Sequence, residues 1–258
     1  MNALQFIETS IADGIGYISL NRPKQLNALN RIMVREIVST MEEFDRDPQV
    51  KVILLSGNGK AFSAGADIDE MVNDDPISME LTNQFADWDR ISLVKKPVIG
   101  AVKSFVFGGG FELALSCDFL IAASDTQFSF PEVTLGVMPG AGGTQRLTKL
   151  VGKTKALEWI LTAERIKAKT ALQYGFINKI VAPELLMEES VDFARKIAKQ
   201  PPLAVRLIKE SINKAVDYPL NEGMQFERKN FYILFASEDQ KEGMKAFVEK
   251  REPKFTGG

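Results

Sequence analysis

The pattern of apolar and polar positions predicts strands and one helix at the start of the chain. Two strand-like segments, residues 4–11 and 16–20, flank an Asp-Gly turn at 13–14 and predict a hairpin. Apolar side chains then recur at helical spacing from Val34 to Phe44, and the Asp-Pro pair at 47–48 ends the predicted helix. The chain therefore opens with a hairpin followed by an amphipathic helix.

Strands and helices continue to alternate up to about residue 139. Short apolar runs predict buried strands at 50–55, 98–102 and 119–123. Helices are predicted near 78–93 and at 111–115. Alternation of this kind favours an α/β architecture over separate all-α and all-β parts.

From about Gly143 the pattern is almost entirely helical, apart from a short predicted strand near 177–181. Prolines at 183, 201–202 and 219 mark the starts of helices. We therefore predict an α/β core over residues 1–197 and an all-helical C-terminal arm over residues 198–258.

Composition limits the partners and compartments that fit this pattern. The 258 residues are 45% apolar and 26% charged, which is ordinary for a globular protein with a substantial core. Because 32 basic residues balance 34 acidic ones, a nucleic-acid surface is disfavoured. No apolar stretch reaches about 18 residues and no signal-peptide pattern stands at the N-terminus, so we expect no membrane segment and a cytoplasmic location.

The chain contains no histidine and a single cysteine, Cys117. These counts exclude a His-based triad, a His-ligated metal, an internal disulfide and a Cys-based zinc site, so we expect no metal centre. Cys117 lies in the apolar run 113–123 and is expected to pack in the core. Carboxylates are therefore the leading candidates for acid/base chemistry.

Two glutamates occupy special backbone settings. Glu112 follows the triple glycine at 108–110, and Glu132 follows Pro131. An ordinary Glu is too weak a base and too strong an acid near neutral pH, so burial must raise its pKa. Two buried carboxylates in unequal environments can then divide the roles of acid and base.

Three segments of small residues are able to bring the backbone close to a ligand. Residues 63–68 follow a predicted strand and turn, the triple glycine leads into a helix, and 139–144 form a glycine-rich turn before another helix. The first N–H groups of a helix lack internal partners and carry partial positive charge, so an oxyanion is favoured there. Taken singly, each segment is equally explained as a corner that needs small residues, and none has dinucleotide or P-loop spacing.

Taken in order, these segments resemble the enoyl-CoA hydratase/isomerase (crotonase) superfamily. The resemblance runs from Asn-Arg-Pro-Lys-Gln-Leu-Asn-Ala-Leu at 21–29 to Phe-Val-Glu-Lys-Arg at 247–251. Between them lie Ala-Gly-Ala-Asp-Ile at 64–68, the Gly-Gly-Gly-Phe-Glu block, Pro-Glu at 131–132 and Pro-Gly-Ala-Gly-Gly-Thr-Gln-Arg at 139–146. The resemblance implies a crotonase-like spiral of ββα turns with the helical arm, and a homotrimer or a hexamer built as a dimer of trimers.

The resemblance also implies site residues. The backbone N–H groups of Ala66 and Gly109 would form an oxyanion hole for a thioester carbonyl, and Glu112 and Glu132 match the two catalytic glutamates of true hydratases. Coenzyme A would enter as part of an acyl-CoA substrate, so no separate cofactor is expected. The other implied substrate-binding residues are Ala64, Asp67 and Ile68 at the adenine end, Lys24 and Leu26 along the coenzyme A path, Gly140, and Phe231, Phe247 and Lys250 in the arm. An aromatic stripe in such an arm is otherwise usually core or subunit contact.

The implied activity is syn hydration of a 2-trans-enoyl-CoA to a 3-hydroxyacyl-CoA, in fatty-acid or branched-chain acyl-CoA breakdown. Glu112 is the candidate for activating water and Glu132 for delivering the C2 proton, and the division stays open because coupled carboxylates share their titration. A 3-enoyl-CoA isomerase or another crotonase-type acyl-CoA enzyme is the alternative. An RNA-binding relative is disfavoured, because acidic residues share the first helix with Arg31 and Arg35.

Four positions depart from the family pattern. Phe111 stands where a small residue or Cys is common, Ser129 where Gly is common, and Lys-Ser at 103–104 where Asn-Gly is more usual. We expect these departures to affect the acyl pocket or the rigidity of the loops. They leave the preferred acyl chain length open.

Overall fold

A six-stranded sheet forms the centre of the computed structural model, which describes residues 4–258. Its order is β1-β2-β3-β4-β6-β9; β1 and β2 pair antiparallel and every other neighbouring pair is parallel. A smaller sheet has the order β5-β7-β8. The strands are β1 (Ile7–Ala12), β2 (Ile15–Leu20), β3 (Val52–Gly57), β4 (Val98–Val102), β5 (Phe105–Phe107), β6 (Phe119–Ala123), β7 (Gln127–Ser129), β8 (Ile166–Lys167) and β9 (Lys179–Val181).

Helices cover the central sheet and form the C-terminal arm. They are α1 (Arg31–Arg46), α2 (Pro76–Thr82), α3 (Phe85–Ile91), α4 (Gly109–Leu115), α5 (Gly143–Val151), α6 (Lys153–Thr162), α7 (Ala168–Gln173), α8 (Leu186–Ala198), α9 (Pro202–Ala215), α10 (Leu220–Leu234) and α11 (Glu238–Glu249). Short 3-10 helices lie at Pro23–Gln25, Ile68–Glu70, Glu132–Leu135 and Pro183–Leu185. None of the helices in residues 4–258 has both the length and the hydropathy that crossing a membrane requires.

The strands at the centre are buried on both faces because helices lie on each side of the sheet. In β3 every residue is buried, and successive side chains point to opposite faces. Ile53 and Leu55 join the larger core cluster with α1, whereas Val52 and Leu54 pack with α8. Cys117 packs against the larger cluster, as predicted, and burial raises the pKa of its thiol.

Most of the predicted elements are confirmed, with two corrections. The hairpin, the first helix and the strands at 98–102 and 119–123 are present. The single helix predicted near 78–93 is wrong: α2 and α3 are separate, because Asn83 adopts a left-handed conformation with φ 44°. Strands β5, β7 and β8 were not predicted, since two or three residues are too short to show a periodic pattern.

The C-terminal arm begins after α8, which ends at Ala198, one residue beyond the predicted boundary. Helices α9 and α10 pack on each other. The Lys209 ammonium in α9 lies 2.6 Å from the Asp118 carboxylate just before β6 and connects the arm to the core. The division into two functional domains stays a prediction.

The parallel strands of the central sheet lead into three segments at one edge of the sheet. Residues 21–30 follow β2, residues 58–67 follow β3, and residues 103–110 follow β4, while Glu132 lies beyond β6 and β7. Ligands of open α/β sheets bind outside the carboxyl ends of the strands, where such loops meet. The topology therefore predicts where a site would form before any side chain is considered.

Asn27 joins two of these loops. It is fully buried, and its side-chain amide donates to the backbone carbonyls of Asn58 and Ala61, each at 2.9 Å. Its side-chain oxygen accepts the Arg22 N–H at 2.8 Å, and its own carbonyl accepts the Ser63 hydroxyl at 2.8 Å. One side chain thus fixes the segment that leads into residues 63–67.

Replacing Asn27 with Ala should lower the free energy of unfolding by about 3 kcal/mol, because buried carbonyls lose their donor. Asn27 also has a left-handed backbone, with φ 56°. The matched control is Asn83→Ala, since Asn83 has φ 44° but is exposed. Urea unfolding should show a loss of only about 1 kcal/mol for the control. Equal losses in the two variants would mean that the side-chain hydrogen bonds contribute nothing.

Candidate active site

Glu112 lies on the first turn of α4 and is only 4% exposed. One carboxylate oxygen, Oε1, accepts two backbone N–H groups, from Ala141 at 2.7 Å and from Gly143 at 2.8 Å. Burial raises the pKa of Glu112, while these two N–H donors and the charge of Arg146 oppose the shift. The glycine-rich turn at 139–144 thus holds one predicted catalytic carboxylate.

Glu132 begins a short 3-10 helix after Pro131. Glu112 and Glu132 both line one cavity, which is described below. The Oε2 atom of Glu132 is buried and has no hydrogen-bond partner within the part of the chain that the structure describes. Burial raises the pKa of Glu132 to about 7, and the neighbouring charge of Glu112 adds to that shift. Near neutral pH, Glu132 is therefore able to carry a proton.

The two carboxylates differ in the way that acid/base chemistry requires. Glu112 has two donors that stabilise its ionised form, whereas the inner oxygen of Glu132 has none. Because like charges in one cavity disfavour double ionisation, the proton they share is favoured on Glu132. This arrangement gives a base and an acid side by side.

Backbone pairing directs the Ala66 N–H away from the protein's own carbonyls. The Leu29 N–H donates to the Gly65 carbonyl at 2.7 Å, and the Asp67 N–H donates to the Leu29 carbonyl at 2.9 Å. The N–H of the intervening residue points to the opposite side, since successive N–H groups alternate in extended chain. Ala66 lines the cavity, and within residues 4–258 no protein acceptor takes its N–H.

Gly109 places a second free N–H close to the first. It is the first residue of α4, so its N–H has no intrahelical partner, and it makes no other hydrogen bond among the described residues. A Cβ at Gly109 would lie 3.5 Å from the Ala66 nitrogen, so the two backbones are adjacent. Two N–H groups presented together can stabilise an oxyanion.

A cavity of about 300 Å³ contains both carboxylates and both N–H groups. Eight residues predicted for the site line it: Ala64, Ala66, Asp67, Ile68, Gly109, Glu112, Glu132 and Gly140. The Asp67 carboxylate is paired with Arg22 at 2.8 Å, so Asp67 offers its backbone rather than a free charge. The segments at 64–68, 108–112, 131–132 and 139–143 therefore meet at one place.

The remaining predicted residues do not line the cavity. Leu26 lies just behind it, and its carbonyl accepts the Ala64 N–H at 2.9 Å, while Lys24 is exposed on the adjacent 3-10 helix. In the arm, Phe231 is 57% exposed and Phe247 is 85% exposed, and Lys250 ends α11 in a left-handed conformation. Within this single chain these three are not brought together with the carboxylates.

The departures from the family pattern lie outside the cavity lining. Phe111 is fully buried and stacks on Phe130 with ring centroids 4.6 Å apart, so it does not itself line the cavity, and its effect on the acyl pocket stays a prediction. Its ring belongs to the larger core cluster, where it also contacts Phe128 and Phe176. The Ser129 hydroxyl donates to the Ala163 carbonyl at 3.0 Å, and Ser104 supplies a left-handed turn with φ 52°.

Several cavity residues were not predicted from the sequence. Met79, Phe85 and Trp88 come from α2 and α3, and Met138 comes from the loop before α5. Arg146 does not line the cavity, but its guanidinium donates to the Ala141 carbonyl at 2.7 Å, beside the N–H groups that hold Glu112. A basic residue three positions after a glycine pair was a visible signal, but its target depends on the fold of the turn.

No group of three or more His, Cys, Asp or Glu side chains in residues 4–258 is arranged to hold a metal ion. The functional groups of the site are a pair of carboxylates beside two backbone N–H donors. Such a set suits proton transfer next to a carbonyl group whose oxygen gains negative charge. The fold and the cavity therefore define an enzyme-like site that acts on a carbonyl compound.

Comparison with known proteins identifies the family. The model of the enoyl-CoA hydratase/isomerase family matches residues 10–258, and the chain belongs to that family. It is 47% identical over 241 residues to a mitochondrial enoyl-CoA hydratase of Pongo abelii, covering 93% of this chain and 83% of that protein. It is 43% identical over 242 residues to a short-chain-enoyl-CoA hydratase of Clostridium acetobutylicum, covering 92% of each.

Solved structures agree with this assignment. An enoyl-CoA hydratase subunit of Geobacillus kaustophilus is 62% identical, covers 99% of both chains and superposes with a TM-score of 0.97. An enoyl-CoA hydratase of Bacillus anthracis is 36% identical, with 98% of this chain and all of that one covered, and gives a TM-score of 0.93. The predicted crotonase-like α/β fold with a helical C-terminal arm is confirmed.

Removing the Glu132 carboxyl should stabilise the protein at and above neutral pH. Its pKa is about 7 in the folded protein against an ordinary value of 4.5. Between these two pH values the folded protein holds a proton that the unfolded chain releases, so wild-type stability falls as pH rises and levels off above about pH 7. Glu132→Gln lacks this loss because Gln does not titrate.

Thermal unfolding of both proteins from about pH 5 to about pH 8 tests this expectation. The melting temperature of Glu132→Gln should exceed that of wild type by an amount that grows with pH. Glu164→Gln is the control, because Glu164 is exposed and forms no ion pair among the described residues. A pH-independent difference for Glu132→Gln would contradict the raised pKa.

Proposed function

We propose that this protein is an enoyl-CoA hydratase, a hydro-lyase that adds water syn across a 2-trans-enoyl-CoA to give a 3-hydroxyacyl-CoA. The observation that carries the proposal is one cavity containing two unequal carboxylates and two free backbone N–H groups. Relatives that are 43% and 47% identical carry the name enoyl-CoA hydratase, which supports the same reaction.

The oxyanion hole is assigned to the N–H groups of Ala66 and Gly109. As water adds at C3 of the enoyl group, negative charge moves to the thioester oxygen. Two fixed donors stabilise that charge without reorganising, and loss of one such donor typically costs about 3–4 kcal/mol. Their free N–H groups and adjacent backbones support this role.

The two glutamates divide the proton transfers. Glu112, held ionised by the Ala141 and Gly143 N–H groups, takes a proton from the attacking water. Glu132, whose pKa is raised to about 7 by burial, delivers a proton to C2. Both side chains line one cavity, and syn addition requires that the water and the proton they handle reach the same face of the planar enoyl group.

Coenzyme A enters as part of the substrate, and no separate cofactor is required. Ala64, Asp67 and Ile68 are assigned to its adenine end from the family resemblance and Gly140 to substrate binding, and the position of all four in the cavity lining supports these assignments. Lys24 and Leu26 are assigned to the path between, because Leu26 is bonded to Ala64.

A homotrimer, or a hexamer built as a dimer of trimers, accounts for the exposed apolar side chains of the C-terminal arm. Exposed apolar side chains are concentrated in α10 and α11, including Phe231, Tyr232, Phe247 and Val248. Burial against a neighbouring subunit would remove this surface from water, and Phe231, Phe247 and Lys250 would then close that subunit's site.

A nucleic-acid partner is disfavoured by the ion pairs of α1. Arg31 is paired with Asp74 and Arg35 lies 3.9 Å from Asp87, so these cations already face carboxylates.

Glu112→Gln and Glu132→Gln should each lower kcat by about 10²–10⁴, because Gln keeps the shape but transfers no proton. KM should change little, since the coenzyme A contacts lie elsewhere. The double variant should lose much less than the product of the two single losses, because the residues act as one unit. The measurement is the loss of enone absorbance with a four-carbon 2-trans-enoyl-CoA.

Glu164→Gln serves as the control and should keep wild-type activity, because Glu164 is exposed and lies outside the cavity. Suppose that Glu132→Gln abolishes hydration while Glu112→Gln leaves it intact. A hydratase that uses both carboxylates is then wrong, and a 3-enoyl-CoA isomerase with one carboxylate becomes the better assignment.

Ala66→Pro should lower kcat by at least about a hundredfold, because Pro has no N–H to donate to the oxyanion. Ala66→Gly is the matched control, since it keeps the N–H and removes only a methyl group. Circular dichroism should show that both variants are folded. Near-normal turnover by a folded Ala66→Pro variant would remove Ala66 from the oxyanion hole.

A further inference from the structure

Arg146 lies on the first turn of α5 with an unusual set of contacts. Its guanidinium turns back and donates to the Ala141 carbonyl at 2.7 Å. It is half-buried, and among residues 4–258 no carboxylate lies within ion-pair distance of it. Its charge is therefore not neutralised by a direct partner, although arginines in partly buried positions commonly pair with a carboxylate.

The contact fixes the peptide that holds Glu112. The Ala141 carbonyl belongs to a turn whose Ala141 and Gly143 N–H groups both donate to Glu112 Oε1. Gly142 between them has φ 100°, and a Cβ there would lie 2.2 Å from the Arg146 guanidinium. Because Arg146 holds the carbonyl on the far side of the turn, the two N–H groups stay directed at the carboxylate.

The charges around Glu112 are few. Arg146 faces it from α5 and favours its ionised form, while Glu132 faces it from the 3-10 helix Glu132–Leu135 and disfavours that form. Loss of the Arg146 charge would leave the two carboxylates to compete on more equal terms. The charge of Arg146, which does not line the cavity, therefore adds to the two N–H donors in favouring ionised Glu112.

We infer that Arg146 is a positioning residue that holds Glu112 as the ionised base, and so divides the roles between the two glutamates. The inference rests on the proposed hydratase function. It goes further by assigning a part in the division of roles to a residue that does not line the cavity and acts through the turn at 140–143.

Three variants test the inference. Arg146→Gln removes the charge and keeps a hydrogen-bond donor, and Arg146→Lys keeps the charge with fewer donors. Lys149→Gln is the matched control, because Lys149 also carries a positive charge on α5 but is exposed and pairs with Asp217. The first measurement is the pH dependence of kcat/KM for hydration of a four-carbon 2-trans-enoyl-CoA.

The acid limb of the profile is its low-pH side, where kcat/KM falls as Glu112 becomes protonated. In Arg146→Gln this limb should move to higher pH by about one unit, so kcat/KM at the acid end should fall about tenfold. Arg146→Lys should keep the limb closer to that of wild type, and Lys149→Gln should leave it in place. If the limb stays in place in Arg146→Gln and activity only follows the folded fraction, the residue is merely structural and the inference is wrong. If Arg146→Gln does not fold, Arg146→Met takes its place as the variant without the charge, and an unmoved limb in that variant overturns the inference.

A second measurement does not depend on turnover. The carboxyl carbons of protein labelled with ¹³C-glutamate are titrated by NMR, and the Glu112 signal is assigned as the one absent in Glu112→Gln. That signal should titrate at higher pH in Arg146→Gln than in wild type and Lys149→Gln. An unchanged Glu112 titration overturns the inference even if the enzyme is a hydratase. A shifted titration in a protein that does not hydrate enoyl-CoA upholds it and rejects the proposed function.

Discussion

The start of α4 brings three parts of the chain together, and the site depends on that close approach. A Cβ at Gly110 would lie 2.6 Å from the Ser63 side chain, one at Gly109 would lie 3.5 Å from the Ala66 nitrogen, and one at Gly108 would lie 3.1 Å from Glu132 Oε1. Glycine therefore allows the helix to enter between the loop that carries one N–H group and the carboxylate that carries a proton. The same helix presents Glu112 one turn later, so a single backbone corner places four functional groups.

Electrostatics then makes the two carboxylates unequal. Burying two such groups in one cavity is unfavourable unless each is hydrogen-bonded, neutralised or protonated. The turn at 140–143 gives Glu112 two N–H donors, and no donor reaches the inner oxygen of Glu132 among the described residues. The asymmetry comes from backbone geometry, which is fixed by packing and reorganises little during a reaction.

Local pattern predicted much of the scaffold, and its failures have physical causes. The buried strands β4 and β6 and the helix α1 show their periodicity directly in the sequence. The break at Asn83 was missed because its left-handed turn interrupts an otherwise continuous apolar pattern. The sequence did not show where the Phe111 side chain lies, because the direction of a side chain on a short helix is decided by packing, and here it joins Phe130 in the core.

By itself, the sequence determined the alternation of strands and helices, the absence of histidine, the two glutamates and the segments of small residues. The family resemblance added their roles, and the cavity brings eight of those residues together. Only the tertiary structure decided that Arg146 bonds the Ala141 carbonyl, that Asn27 joins two loops, and that Glu132 keeps an unpartnered oxygen. The reason is that hydrogen-bond partners and burial depend on residues far apart in the chain, whereas sequence pattern reports only on neighbours.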